Sequence, residues 1–190
     1  MGLFSVRRTL LLMVMFLAIG TAVGVVIGYI MVAQCYSTLN EVLGSLKAAT
    51  AEFEKLSYSY KLSFILDTVE LVQWNSLSTV QALSLKYIVQ KVNITYEVSP
   101  ELYVSRAKEI LYDRIKVFNQ TKPVEGLEEN HDRIMSLLTQ LSEEVDDMYK
   151  IAAKEHVTDK DISDARKILG SILTITDKIR REVESATSKL

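Results

Sequence analysis

Residues 127–152 read LEENHDRIMSLLTQLSEEVDDMYKIA. Leu127, His131, Ile134, Leu138, Leu141, Val145, Met148 and Ala152 recur at alternating intervals of four and three. Such spacing lays one stripe along a helix, since 3.6 residues complete a turn. After Val157, Thr158-Asp159-Lys160-Asp161 supplies a capping threonine and acids that suit the positive end of a helix dipole. The rhythm then resumes through Ile162, Ala165, Leu169, Ile172, Thr176, Ile179, Val183, Ala186 and Leu190. Two helices of about 30 residues joined by a short turn predict an antiparallel hairpin about 45 Å long.

Upstream, Ser99-Pro100-Glu101 predicts a helix start, with serine as cap and proline in the first turn. That helix should reach Asn119, with Asn119-Gln120-Thr121-Lys122-Pro123 as connector. Its apolar positions Leu102, Ile110, Ile115 and Phe118, with Arg106 among them, form no clean seam. Val92 to Val98 alternates apolar and polar residues, as a strand would. Without a second strand to pair with, a frayed helix end followed by an extended connector is the better expectation. The remaining option is a strand completed by another chain.

Residues 36–91 contain no proline. Leu39, Leu43, Leu46, Thr50, Phe53, Ser57, Tyr60 and Phe64 form a heptad seam. One helix from residue 9 to residue 92 would be about 126 Å long, so a break is expected. Ser57-Tyr58-Ser59 and Asn75-Ser76-Leu77-Ser78 are the candidates, because Ser and Asn compete for backbone hydrogen bonds. Leu71 to Leu85 has no charge but many small polar groups, which suits a helix buried on several sides or an oligomer contact. Trp74 is expected in the core, with an interface as its second role. Gln73, Ser76 and Gln81 are the accompanying candidate interface residues.

Thr9 to Cys35, TLLLMVMFLAIGTAVGVVIGYIMVAQC, carries no charge. About 20 apolar residues span a bilayer, so this stretch is expected to be a transmembrane helix. Tyr29 and Tyr36 fall near its far end, where phenols favour the headgroup layer. It exceeds the 7–15 residues usual for a cleaved signal core, and no small-residue cleavage pattern closes it. Gln34 stands where a lipoprotein site needs a small residue, and Val6 spoils an N-myristoylation motif at Gly2. Arg7 and Arg8 abut the run and place the N-terminus in the cytoplasm. The expected division is therefore a short cytoplasmic tail (1–8), a transmembrane helix (9–35) and an extracytoplasmic helical region (36–190). Asn93 and Asn119 begin sequons consistent with that exposure. Gly20, Gly24 and Gly28 share one helix face on which another membrane helix can pack closely. Cys35, the only thiol, is expected to be a buried free thiol, with an intermolecular disulfide between paired anchors as the second option.

Composition bounds the chemistry. The 190 residues carry 22 basic and 24 acidic side chains. Both basic groups of residues 1–35 are arginines, so residues 36–190 hold 20 basic and 24 acidic groups, a net −4 that argues against nucleic acid. Only 7 Gly and 2 Pro are present, too few for a many-turned β fold. One cysteine excludes an intrachain disulfide framework.

Glu128 and His131 make one Glu-x-x-His, but a di-iron bundle needs two, and Ala153 precedes His156 at the matching spacing. Asp159 to Asp164 begins like a calcium loop, yet Asp164 replaces the required glycine and Gly170 the terminal glutamate. His131 is therefore expected to be a partly buried or surface histidine. Glu143, Glu144, Asp146 and Asp147 suggest a solvated face, or a contact for a basic partner. No nucleophile elbow or phosphate loop appears, so no cofactor, metal or catalysis is expected.

The expected fold is all-α: one transmembrane helix followed by an elongated antiparallel bundle, with four helices and heptad seams. The expected role is a structural or interaction subunit, in contact with membrane lipid and with a second copy or other membrane subunits. The layout also resembles the sensing half of bacterial and archaeal chemoreceptors and sensor kinases, by architecture rather than by diagnostic residues. The resemblance implies small-molecule ligand sensing. Such receptors return to a cytoplasmic output module, whereas this chain is expected to stop outside at Leu190 and to signal through a partner subunit.

Overall fold

The computed structural model describes residues 3–94 and 97–190, with the side chains of residues 3–12 and 14 left out. Arg7 and Arg8 therefore lie outside the described side chains, and Gly2 and Thr95 outside the described residues. Four helices and no strand occur among the described residues: α1 (Leu3–Lys91), α2 (Glu101–Asn119), α3 (Glu128–Ala152) and α4 (Asp159–Thr187). The chain divides into two compact units, Met1–Glu52 and Phe53–Leu190, and α1 contributes to both.

The expected break in α1 does not occur. Of the residues expected to compete with the helix, Asn75 instead bonds within it, as the neighbouring Thr68 and Thr79 do. Thr68 Oγ1 donates to the Phe64 carbonyl, Asn75 Nδ2 to Leu71 and Thr79 Oγ1 to Asn75, each at 2.8 Å. These i to i−4 bonds leave the backbone ladder intact. The helix closes in a Schellman motif. Asn93 takes a left-handed φ of 52°, Asn93 N donates to the Gln90 carbonyl, and Ile94 N donates to Val89. Asparagine tolerates this conformation better than other residues with a side chain. The alternation over Val92–Val98 thus marks a cap and a connector rather than a strand; Thr95 and Tyr96 lie outside the described residues.

In the unit Met1–Glu52, every described side chain is exposed. The helix here is long and apolar enough to cross a membrane. Three threonine hydroxyls bond to its own backbone: Thr21 donates to Leu17, Thr38 to Gln34 and Thr50 to Leu46.

In the unit Phe53–Leu190, one apolar core draws on all four helices. The stripes expected for the last two helices are buried as spaced, apart from Leu169 and Leu190, which are half-buried. Ile134, Leu138, Leu141, Val145 and Met148 are fully enclosed on α3, and Ala165, Ile172, Thr176, Ile179 and Ala186 on α4. On α2, where the sequence shows no clean seam, the buried stripe is Val104, Ala107, Leu111 and Phe118, while Leu102 and Arg106 are exposed. On α1 the buried stripe is Tyr58, Leu62, Ile65, Val69, Val72, Ser76, Thr79 and Leu83. Its members stand one or two positions beyond those of the seam through Ser57, Tyr60 and Phe64, so at about 100° per residue the two faces point about 150° apart.

Polar contacts fix the directions. Lys55 Nζ donates to the Leu190 carbonyl at 3.1 Å, Gln73 reaches Thr176, and the Tyr87 hydroxyl donates to Asp159. In this unit α1 therefore runs opposite to α4. The α3–α4 turn is tied to α1 by Gln90, whose amide donates to the Glu155 carbonyl and accepts from Val157 N. Lys108 pairs with Asp146 at 2.9 Å, and the Tyr112 hydroxyl donates to the same carboxylate, joining α2 to α3. Asp146 is thus an internal tie rather than a free member of an acidic face.

Ser99 offers only its backbone carbonyl to α2, whose start has no side-chain cap. At α4, Thr158 and Asp161 form a reciprocal capping box, as the sequence predicts. Asp161 also pairs with Lys154. Thr158→Ala should therefore cost about 1 kcal/mol of stability, read as a lower urea midpoint with unchanged denaturant dependence.

Candidate interaction surfaces and a buried aromatic–histidine cluster

The side chains singled out by the sequence separate into three places. The first is the exposed helix of Met1–Glu52. A Cβ built on Gly20, Gly24 or Gly28 would meet nothing within 4 Å, so all three face open space. Cys35 is exposed as well, contrary to the expected buried thiol.

The second place is the core. Ser76 is completely buried by its own chain, so it is no accessible interface residue. Its hydroxyl has no hydrogen-bond partner among the described residues. Gln73 is half-buried and spends its amide on Thr176 of α4. These two belong to a polar layer inside the core rather than to a surface.

The third place is the flank of α1 that faces away from this core. Trp74 is 64% exposed, which overturns its expected core position. Gln81 is exposed beside it. Both line a groove of about 1010 Å³ between α1 and the start of α2, with Leu85, Leu102, Tyr103 and Arg106. The sequence reading missed these α2 residues. Carrying the four-three count past Phe64 would have reached Leu71, Trp74, Gln81 and Leu85. Nothing local marks Leu102 and Tyr103 as their neighbours, because that depends on how α2 docks.

Asn93 and Asn119 are both exposed. Thr121 of the second sequon is buried, and its hydroxyl donates to the Val117 carbonyl.

His131 is more deeply enclosed than expected, at 7% exposure. Its ring stacks on Phe118 with centroids 4.3 Å apart. The Tyr58 hydroxyl lies 3.1 Å from Nδ1, so the phenol donates when the imidazole carries its proton on Nε2. Residues from α1, α2 and α3 thus meet around one imidazole. Burial pushes the Tyr58 phenol up to about 12, helped by the negative charges of Asp132 and Glu128. Burial also pulls the His131 imidazolium down, against the opposing influence of Asp132. The cluster reads as a packing and hydrogen-bonding node. Among the described residues, no group of three or more His, Cys, Asp or Glu side chains could hold a metal.

The lowered His131 value fixes a pH dependence. Below about pH 6.5 the unfolded chain takes up a proton that the folded chain resists, so stability falls with acidification. The urea midpoint should drop between pH 7.5 and 5.5, and His131→Phe should flatten that slope; an unchanged slope would remove His131 as its source. Asp161, held down to about 2 by Lys154 and Thr158, contributes its own loss only as pH falls from about 3.8 toward 2. Ser76→Ala deletes an unpaired buried hydroxyl and should raise stability by about 1 kcal/mol, seen as a higher melting temperature.

Comparison with protein-family models, with curated proteins and with solved structures finds no match for this chain.

Proposed function

We propose that the chain is a non-enzymatic, single-pass membrane protein whose helical bundle serves as a structural or interaction subunit of a membrane assembly or homo-oligomer. The observation that carries this reading is α1. An uncharged apolar stretch and a core-packed stretch belong to one uninterrupted helix, with no loop between them. On this reading residues 9–35 cross the bilayer as an uncleaved signal-anchor and residues 1–8 form the cytoplasmic tail. Residues 36–190 form an elongated antiparallel four-helix bundle with coiled-coil-like seams outside the cytoplasm. The double arginine at positions 7 and 8 gives the orientation by its preference for the cytoplasmic side.

The glycine face supports association within the membrane. Without side chains at Gly20, Gly24 and Gly28, two helix backbones can approach closely enough for van der Waals packing to replace lipid contact. Exposure of all three agrees with an unfilled role in the single chain. Lipid, a second copy and other membrane subunits are the proposed partners. The non-enzymatic reading is supported by Tyr58, His131, Gln73 and Asp161, whose polar groups are engaged in packing, capping and interhelical ties.

A second reading, an extracytoplasmic ligand sensor that signals through a partner subunit, is favoured by the groove between α1 and α2. Its aromatic walls and the Arg106 guanidinium could receive a small molecule. A melting temperature that rises with added metabolites would select it.

The main reading has direct tests. After carbonate washing, the full chain should stay with the membrane, and protease added to intact cells should digest residues 36–190. Full protection would reverse the orientation. Gly24→Leu should lower the crosslinked oligomer fraction several-fold by steric exclusion; an unchanged fraction would remove the glycine face from the assembly.

A further inference from the structure

Within Phe53–Leu190, α1 carries two stripes. One is buried against α2, α3 and α4. On the other, Tyr60, Asp67, Trp74, Gln81 and Ile88 recur every seven residues, and all five are exposed. Phe64, Leu71 and Ser78 lie between them and are half-buried at the edge of the core. Tyr60, Trp74 and Ile88 leave large apolar side chains in water along this one row, 65%, 64% and 56% exposed. A strict repeat of seven keeps one seam in contact with a second helix wound alongside.

The charges beside this seam identify the second helix. Asp67, the one charged member of the exposed set, lines a shallow pocket with Glu70, Trp74 and Arg106. None of Asp67, Glu70 and Arg106 has an ion-pair partner among the described residues. In a two-fold contact, a residue that touches a second one is itself touched by that residue's counterpart. Two copies related in this way bring each Arg106 to the acids of the other copy, so the patch is complementary to itself.

We propose that this outer seam of α1 docks on the same seam of a second copy of this chain, as a parallel, in-register pair. Trp74 and Ile88 then each face their own counterpart, and Arg106 of each copy neutralises Asp67 of the other. The parallel direction rests on the membrane-anchored reading above, which holds both N-termini on one side.

The test uses the full chain in mild detergent, with Cys35→Ser and one new cysteine at a time. On mild oxidation, Trp74→Cys, Gln81→Cys and Ile88→Cys should each drive more than about half of the chain into a disulfide-linked dimer. Lys167→Cys, exposed on α4, should stay below about a tenth. A mixture of Trp74→Cys and Ile88→Cys chains should yield no mixed dimer, because 14 residues separate the sites by about 21 Å along a helix. Arg106→Glu should cut the dimer yield of Gln81→Cys several-fold, and adding Asp67→Arg should restore it. These side chains are exposed, so circular dichroism should show unchanged helix content in every variant. Seam cysteines that crosslink no better than Lys167→Cys, that link only to a different protein, or that form mainly mixed Trp74–Ile88 dimers would overturn the proposal. A carbonate wash of the membranes before extraction separates the two readings: a chain that washes off yet crosslinks through the seam refutes the anchor and leaves the pairing.

Discussion

The stripe of α1 from Tyr58 to Leu83 has to be kept from water, and the rest of the Phe53–Leu190 unit is arranged to do so. A fully buried Val, Leu or Ile contributes about 1.5–3 kcal/mol. Ordering each residue costs about 1–2 kcal/mol in backbone entropy. Helices as short as α2 are marginal alone and gain their stability by packing. Val104, Ala107, Leu111 and Phe118 of α2, together with the four-three stripes of α3 and α4, close over the same core. Each helix is therefore held by a surface that the others supply.

Polar groups set the register that apolar packing leaves loose. Gln73 with Thr176, Gln90 with the α3–α4 turn, and Lys108 and Tyr112 with Asp146 each fix one helix against another at a defined level. An apolar stripe can slide by a turn at modest cost, but a displaced Gln90 would leave Val157 N and the Glu155 carbonyl without their partner. The Tyr58–His131–Phe118 cluster does the same at the other end of the unit, with one imidazole shared among three helices. Residues that look chemically suggestive in the sequence, His131 and Asp161 above all, are occupied with this task. For that reason the functional proposals rest on surfaces: the glycine face, the outer seam and the groove.

The outer seam changes what an oligomer of this chain would mean. A helix that is half core and half contact surface couples the stability of one copy to the presence of the next. The proposed anchor would add to this by confining copies to a plane and a direction, which lowers the entropy cost of pairing.

The sequence by itself determined the helical class, the uncharged apolar stretch at the N-terminus, the stripes of α3 and α4 and the Thr158–Asp161 cap. Each of these is a local matter of spacing and backbone hydrogen bonding, and neighbours in the chain suffice to specify it. The tertiary structure decided which face of α1 is inside, that Ser76 is buried while Trp74 is not, that α2 turns Val104 rather than Leu102 inward, and that α1 continues through its serines and asparagines. On α1, two seams about 150° apart have comparable apolar content. Only the docking of α2, α3 and α4, which removes one seam from water and leaves the other, distinguishes them.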